Sequence, residues 1–262
     1  MRIIFIGDLI GRPGRRTVAA LLPDLLDEYR ADFVIANGEN AAAGLGLTEK
    51  IAHELLDLGI DVLTSGNHIW QQKEALTFLP RLPQVLRPAN YPPTAPGYGW
   101  GVYQAHNGED LAVLNLQGRV FMDPMDCPFR GADAILAELP TVAATVVDFH
   151  AEATSEKAAL AHYLDGRVTA VIGTHTHVQT ADETILPGGT AFLSDVGMTG
   201  PSDSIIGGIP EIMLQRFLTG IRAKFEVPKR GPCILSAVMI ESAPNKGTAC
   251  SIQRILAPLT SE

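Results

Sequence analysis

His175 and His177 stand two positions apart just past the apolar run Val168-Thr169-Ala170-Val171-Ile172 and its break at Gly173. A pair of imidazoles there suggests a metal, since imidazole is the commonest side-chain metal ligand, and side chains two apart in extended backbone point the same way. Other candidate ligands hold the same place relative to their own apolar runs. Asp8 follows Ile3-Ile4-Phe5-Ile6, Glu39 and Asn40 follow Phe33-Val34-Ile35-Ala36, Asn67 and His68 follow Val62-Leu63, and His150 follows Val146-Val147. A chance scatter of polar residues would decorate both ends of the runs about equally, whereas these gather at one.

Short β-branched runs separated by helix-length segments read as parallel strands buried on both faces. In such sheets the ligand crevice lies beyond the carboxyl ends of the strands, so five strand ends are expected to meet at one rim. The segment Arg15 to Tyr29 has apolar residues at helical spacing, with Pro23 predicting a kink or a late start, and Gly11-Arg12-Pro13-Gly14 before it reads as a turn. Thr48 is placed to cap a helix carrying Ile51, Leu55 and Leu56 that ends at Gly59, and Thr154 or Ser155 to cap one carrying Leu160, Tyr163 and Leu164. Pro210 suits the first turn of a helix with Ile212, Met213, Leu214, Phe217 and Leu218 inside and Gly220 as its stop. The expected fold class is α/β, layered, with a largely parallel central β-structure flanked by helices. A single domain over residues 1–262 is expected, with a small insert or cap at 81–126. There five prolines precede an antiparallel pair of runs, Tyr98 to Tyr103 and Leu111 to Leu116, around the turn at Asn107-Gly108.

With 262 residues and 46% hydrophobic content the chain can bury a full core. Cys127, Cys233 and Cys250 form no C-x-x-C pair, and the sequence enters a strand directly after Met1-Arg2, without a signal-peptide pattern. Reduced thiols in a cytoplasmic protein are the expectation. No apolar stretch reaches the length of a membrane helix. A formal charge of -9 argues against an extended nucleic-acid-binding surface. Arg12, Arg15 and Arg16 form the one local basic cluster, beside Asp8. Arg12 is the candidate for contact with a small anionic substrate.

Two metals roughly 3.5 to 4 Å apart can activate water and stabilise charge on both sides of an in-line displacement at phosphorus. Such a pair needs a bridging carboxylate, for which Glu39 is the candidate. Asp8 suits one metal, with His177 and Asn40 completing its shell, and His150 and His175 suit the other, with Asn67 lending an amide oxygen. Mixed imidazole and carboxylate ligation fits iron, manganese or zinc better than calcium. Two divalent ions outweigh the charges of Asp8 and Glu39, so an acidic chain can still attract a phosphate here.

The pattern Gly7-Asp8, Gly38-Glu39-Asn40, Gly66-Asn67-His68, Asp148-Phe149-His150 and Gly173-Thr174-His175-Thr176-His177 resembles the calcineurin-like metallophosphoesterases, in particular the bacterial YmdB-type branch of 2′,3′-cyclic-nucleotide 2′-phosphodiesterases. The resemblance spans nearly the whole chain and includes Asp148 to Lys157 and Ser194 to Gly200. It implies a dinuclear site, most often with iron and otherwise with manganese or another divalent metal, at Asp8, Glu39, Asn40, Asn67, His150, His175 and His177. It also implies that His68 is a proton donor rather than a ligand, and an imidazole adjacent to a ligating Asn67 can indeed protonate a leaving alkoxide. The substrate would be a small phosphodiester, a cyclic nucleotide opened to a 3′-nucleotide by a metal-bound hydroxide, and the chain could form a homo-oligomer. In the wider superfamily the first motif is Asp-x-His, whereas Leu9 and Ile10 follow Asp8 here, so Asn40 takes the place of an imidazole. Glu39 likewise stands where aspartate is usual.

Other readings remain open at this point: a phosphatase or a phosphodiesterase of another specificity, a zinc amidohydrolase, and a non-catalytic metal-bound regulatory protein. Trp70 and Trp100 are the aromatic candidates for flanking a nucleobase, with core packing as the competing role. Asp195 could orient a ligand histidine or serve only its loop.

Overall fold

Successive residues of the first run bury into different cores. Ile3 and Phe5 pack with Phe33, Ile35, Val113, Val146 and Ile172, while Ile4 and Ile6 pack with Val34, Ala36, Val18 and Leu22. Strand alternation, with both faces apolar, therefore builds two cores from one strand. In the computed structural model, which describes residues 1–244 and 246–259, the strands in chain order are β1 Arg2–Ile6, β2 Asp8–Leu9, β3 Phe33–Asn37, β4 Val62–Thr64, β5 Trp100–Gln104, β6 Asp110–Gln117, β7 Ala144–His150, β8 Ala170–Thr174, β9 Thr184–Ile185, β10 Ala191–Leu193, β11 Met198–Pro201, β12 Cys233–Ser242 and β13 Ala249–Leu259. The helices are α1 Gly11–Tyr29, α2 Glu49–Asp57, α3 Ala75–Phe78, α4 Pro128–Glu138, α5 Thr154–Tyr163 and α6 Pro210–Thr219.

The strands divide between two sheets packed face to face. One has the order β2-β11-β12-β1-β3-β4 with β13 paired to β12, the other β5-β6-β7-β8-β10-β9. Parallel pairing joins β1 to β3, β3 to β4, β6 to β7, β7 to β8 and β8 to β10, while β12 runs antiparallel to both β1 and β13. The inter-sheet core holds one parity of each strand. The other parity packs under α1 and α2 on the first sheet and under α4 and α5 on the second, so the layers run helix, sheet, sheet, helix. This is an α/β fold, and its parallel strands all deliver their carboxyl ends to one rim.

Several local expectations need correction. The helix expected from Arg15 begins at Gly11, so Gly11 to Gly14 is its first turn rather than a separate one. Pro23 is tolerated within α1 because it lies on the exposed side beyond Ala19 and Ala20, where water can serve the freed carbonyl. Thr48 does cap α2, its hydroxyl accepting from the Ile51 N–H at 3.2 Å, whereas α5 takes Ala153 at its cap position without a side-chain bond. In α6 Met213 is buried, but Leu214, Phe217 and Leu218 face solvent. Residues 81–126, read as an insert, supply β5 and β6. These pair antiparallel as expected, and β6 then runs parallel along β7 within the second sheet. The three cysteines are unpaired. Among the described residues no helix is long and apolar enough to cross a membrane.

Candidate metal centre

The inter-sheet parity turns polar at the end of each parallel strand. Phe33 and Ile35 give way to Asn37, Ala144 and Val146 to Asp148 and His150, and Ala170 and Ile172 to Thr174. All four of these polar side chains are buried, and together they form the floor of the site. Asp8 lies in β2, Glu39 and Asn40 just past β3, Asn67 and His68 just past β4, His150 ends β7, and His175 and His177 follow β8. The rim is thus shared by both sheets.

The hydrogen bonds of the centre fix where its protons sit. The Thr174 hydroxyl donates to Asp148 Oδ1 at 2.7 Å, so its oxygen accepts from His150 Nδ1 at 2.9 Å. That leaves His150 Nε2 facing three groups that carry lone pairs: Asn67 Oδ1 at 3.0 Å, His175 Nδ1 at 3.0 Å and Glu39 Oε2 at 3.3 Å. His175 Nε2 is turned the other way, to Glu152 Oε2 at 3.2 Å. Donor atoms of Glu39, His150 and His175 all lie within 4.8 Å of one another, a grouping able to hold a divalent cation. Burial opposes charge on His150, yet the Glu39, Asp8 and Asp148 carboxylates outweigh it and raise the imidazole to about 9. Burial raises the Asp148 carboxyl to about 7. Burial would also raise the Glu39 carboxyl, but His150 and His68 beside it hold it well below the usual range. Burial, followed by the repulsion of His150, pushes His175 down to about 3. A metal entering here displaces the proton on His150 Nε2.

A second group of donors lies alongside. His177 Nδ1 donates to the Ile206 carbonyl at 2.8 Å, which points Nε2 at Asp8 Oδ1, 3.7 Å away. Asp8 is wholly buried, and its Oδ1 makes no hydrogen bond. Asn40 links this group to His68: its amide nitrogen reaches His177 Nε2 at 3.3 Å and Glu39 Oε1 at 3.0 Å, and its oxygen accepts from His68 Nδ1 at 2.8 Å. The Asn40 oxygen is therefore turned to His68, and joining a cation's shell would require the amide to turn over.

The two histidines converge for a reason other than strand alternation. His175 has φ 100° and His177 φ 67°, both left-handed, and the rings serve different partners. Such backbone costs roughly 1 kcal/mol or more per residue and needs anchoring. Asp195 supplies the anchor. Its Oδ2 accepts from the Thr176 N–H at 3.0 Å, the Thr176 hydroxyl at 2.8 Å and the buried Lys157 ammonium at 2.7 Å. Asp195 thus fixes the backbone between the two histidines rather than orienting a ring.

Two cavities open on the centre, and His175 lines both. The larger, about 640 Å³, runs from Glu39, His68 and His177 past Ile206, Met213 and Phe225, with Arg216 and Lys224 also on its wall. The smaller, about 320 Å³, lies between Asn67, His175 and the segment Phe121 to Asp123. Arg12 is exposed on α1 and does not line either of them, Arg15 is committed to the Ala41 carbonyl and Glu54, and Arg16 faces a separate cavity with Lys229 and Arg230. Positive charge near the centre comes instead from Arg216 and Lys224, which sequence distance concealed. Trp70 packs edge to face on Tyr91, and Trp100 packs against the core beneath α4 and α5.

Asn37 escaped the sequence reading, and Asp148 and Thr174 entered it only as parts of motifs without a role of their own, although the parity of their strands marks all three. Thr174→Val removes the acceptor that fixes the His150 tautomer. Metal affinity is expected to fall about 10- to 100-fold, the usual cost of losing a group that orients a ligand, and Thr174→Ser is expected to retain it. Metal titration followed by calorimetry measures both.

Solved structures of similar proteins share this fold. The chain is 51% identical over 257 residues to the 2′,3′-cyclic-nucleotide 2′-phosphodiesterase of Bacillus subtilis, covering 98% of this chain and 97% of that protein. A solved structure of a hypothetical protein from Thermus thermophilus superposes with a TM-score of 0.92 at 46% identity, covering 98% of this chain and 99% of that one. A structure described as a novel phosphatase from Mycoplasma pneumoniae superposes with a TM-score of 0.92 at 34% identity, covering 99% and 94%. With the model of the YmdB-like protein family matching residues 4–255, from the first strand to the last, the chain belongs to that family.

Proposed function

We propose that the protein is a dinuclear metal-dependent phosphodiesterase that opens 2′,3′-cyclic nucleotides to 3′-nucleotides. The observation that carries this reading is the convergence of Asn67 Oδ1, His175 Nδ1 and Glu39 Oε2 on the buried His150 Nε2 at 3.0, 3.0 and 3.3 Å, a donor set suited to a divalent cation. The name of the Bacillus subtilis relative supports the substrate class. Asp8, Glu39 and His177 would hold one cation, and Glu39, Asn67, His150 and His175 the other, with iron the first choice and manganese the second. Two divalent cations so placed would supply Lewis acidity for the phosphoryl oxygens and lower the pKa of the attacking water.

His68 then handles the leaving group. Its Nδ1 is held by Asn40 Oδ1 at 2.8 Å and lies 3.1 Å from Glu39 Oε1, while Nε2 makes no hydrogen bond among the described residues and the ring lines the larger cavity. The P–O2′ bond breaks as water adds to phosphorus and gives up one proton to solvent, and His68 Nε2 delivers a proton to O2′. His68→Ala is expected to cut turnover roughly 10²-fold or more, the scale of a general acid, with metal content unchanged by elemental analysis. Unaltered turnover would remove His68 from this role.

Assay of the metal-loaded protein on 2′,3′-cAMP, 3′,5′-cAMP, bis-p-nitrophenyl phosphate and p-nitrophenyl phosphate tests the reaction. Preference for 2′,3′-cAMP with 3′-AMP as product is the expected result. Activity confined to the monoester would replace the diesterase reading with a phosphatase.

A further inference from the structure

We propose that Phe121 is the stacking platform for the substrate's base, which makes nucleotides, rather than phosphodiesters in general, the substrates of this centre. The proposal rests on the cyclic-nucleotide reading above and deepens it. Phe121 is 89% exposed and has φ 62°. A bare phenyl forfeits burial, and left-handed backbone is unfavourable for a bulky side chain. Neither serves the fold.

The segment that displays the ring is nonetheless firmly held. The carboxylate of Glu156, a buried residue of α5, accepts from the Arg119 N–H at 3.0 and 3.1 Å and from the Val120 N–H at 3.1 Å. Upstream, the Gly118 N–H donates to the His150 carbonyl at 2.9 Å, which ties the segment to a residue of the centre, and downstream the Met122 N–H closes a turn on the Arg119 carbonyl. A buried carboxylate spent on the backbone just before an exposed aromatic residue anchors the segment that carries the ring.

Its position gives the ring a use. Phe121, Met122 and Asp123 form one wall of the smaller cavity, and Asn67 and His175 form the other. A nucleotide whose phosphate sits at the centre would have its base in reach of the phenyl face, with the Asp123 carboxylate available to exocyclic amino groups. Aromatic stacking suits any base, because every base presents a π-face. Trp70 and Trp100, the aromatic residues first considered for this role, are engaged in packing.

Kinetics of Phe121→Ala and Phe121→Trp on 2′,3′-cAMP and on 1-O-methylribose 2,3-cyclic phosphate, which lacks a base, test the assignment. The alanine variant is expected to raise KM for 2′,3′-cAMP roughly tenfold to a hundredfold, as loss of a base-aromatic stack does, with the base-free substrate unaffected and the tryptophan variant close to wild type. An equal rise on both substrates, or no rise on either, overturns it, as does a fall in solution mass that accounts for the whole effect through lost self-association. Calorimetric binding of 3′-AMP separates this test from the reaction itself. If the wild-type protein hydrolyses no cyclic nucleotide the proposed reaction fails, yet weaker 3′-AMP binding by the alanine variant still supports stacking, and equal binding overturns it.

Discussion

Asp8→Asn is expected to lose about 10³-fold or more in turnover, the several kcal/mol that a metal contributes to such a reaction, while its metal-free form melts a few degrees higher than wild type. The two effects have one source. Asp8 is fully buried, its Oδ1 lacks a partner among the described residues, and its Oδ2 has only the His175 N–H at 3.3 Å. Burial raises its carboxyl above the usual range, against the weaker pull of His177 and His150. Ionised Asp8 therefore opposes folding in the absence of a cation. Asparagine carries no charge, so the cost of burying an ion whose Oδ1 has no partner is removed. Relief of an unsatisfied buried group contributes about 1 to 3 kcal/mol, and in a chain of this size each kcal/mol moves Tm by about 2 to 4 °C. Since the folded pKa of Asp8 lies above its unfolded value, its favourable contribution is present in acid and lost as pH rises through the folded pKa. The advantage of the asparagine variant is accordingly smallest near pH 4 and grows toward neutrality. Added divalent metal should reverse the order, because the wild type gains binding free energy that the variant does not. Melting with and without a chelator, at acid and neutral pH, measures all of this. A metal-free variant less stable than wild type would contradict the argument.

Much of this was readable in advance, and where the sequence misled, the cause is specific. Continuous apolar runs announce strands with two buried faces, and the runs of β1, β3, β7 and β8 are buried on both, as expected. Placement of Asp8, Glu39, Asn67 and His150 at strand ends follows from the same pattern. The extended-strand argument for His175 and His177 used the wrong geometry, since left-handed φ values send the two rings to different partners. No local signal encodes that, because it depends on Asp195, whose grip on Thr176 forms only when β8 and the segment after β10 meet. Arg12 is near Asp8 in sequence but lies at the start of a helix that turns its side chain away, whereas Arg216 and Lys224 reach the larger cavity from a distant part of the chain. The proline-rich stretch at 83–96 leads into β5 and β6, and the pairing of β6 along β7 cannot be inferred from composition.

Gly66→Ala should empty the metal centre with a single methyl group. Gly66 has no left-handed φ, so its backbone would accept alanine, and space alone forbids the change. A Cβ there would fall inside the contact radii of His150 Cδ2, Nε2 and Cγ. His150 has nowhere to retreat. Its ring is wholly buried, fastened through Nδ1 to Thr174 at 2.9 Å and packed edge to face on His175 at 4.7 Å between centroids. Either His150 swings off its position or the segment carrying Asn67 lifts away, and each course removes a donor from the same cation. A displacement near 1 Å costs about 10²-fold in rate, and loss of the ion costs more, so turnover should fall by at least that factor. Overpacking should also lower stability by about 1 to 3 kcal/mol. The double variant Gly66→Ala/His150→Ala separates the two consequences. With the ring gone the methyl group fits, so stability should recover relative to Gly66→Ala, while metal binding and turnover should not. Gly66→Ala protein that retains wild-type metal content would show that the strand ends are slack, and a centre assembled from five of them cannot be slack and still hold its donors within bonding distance of one another.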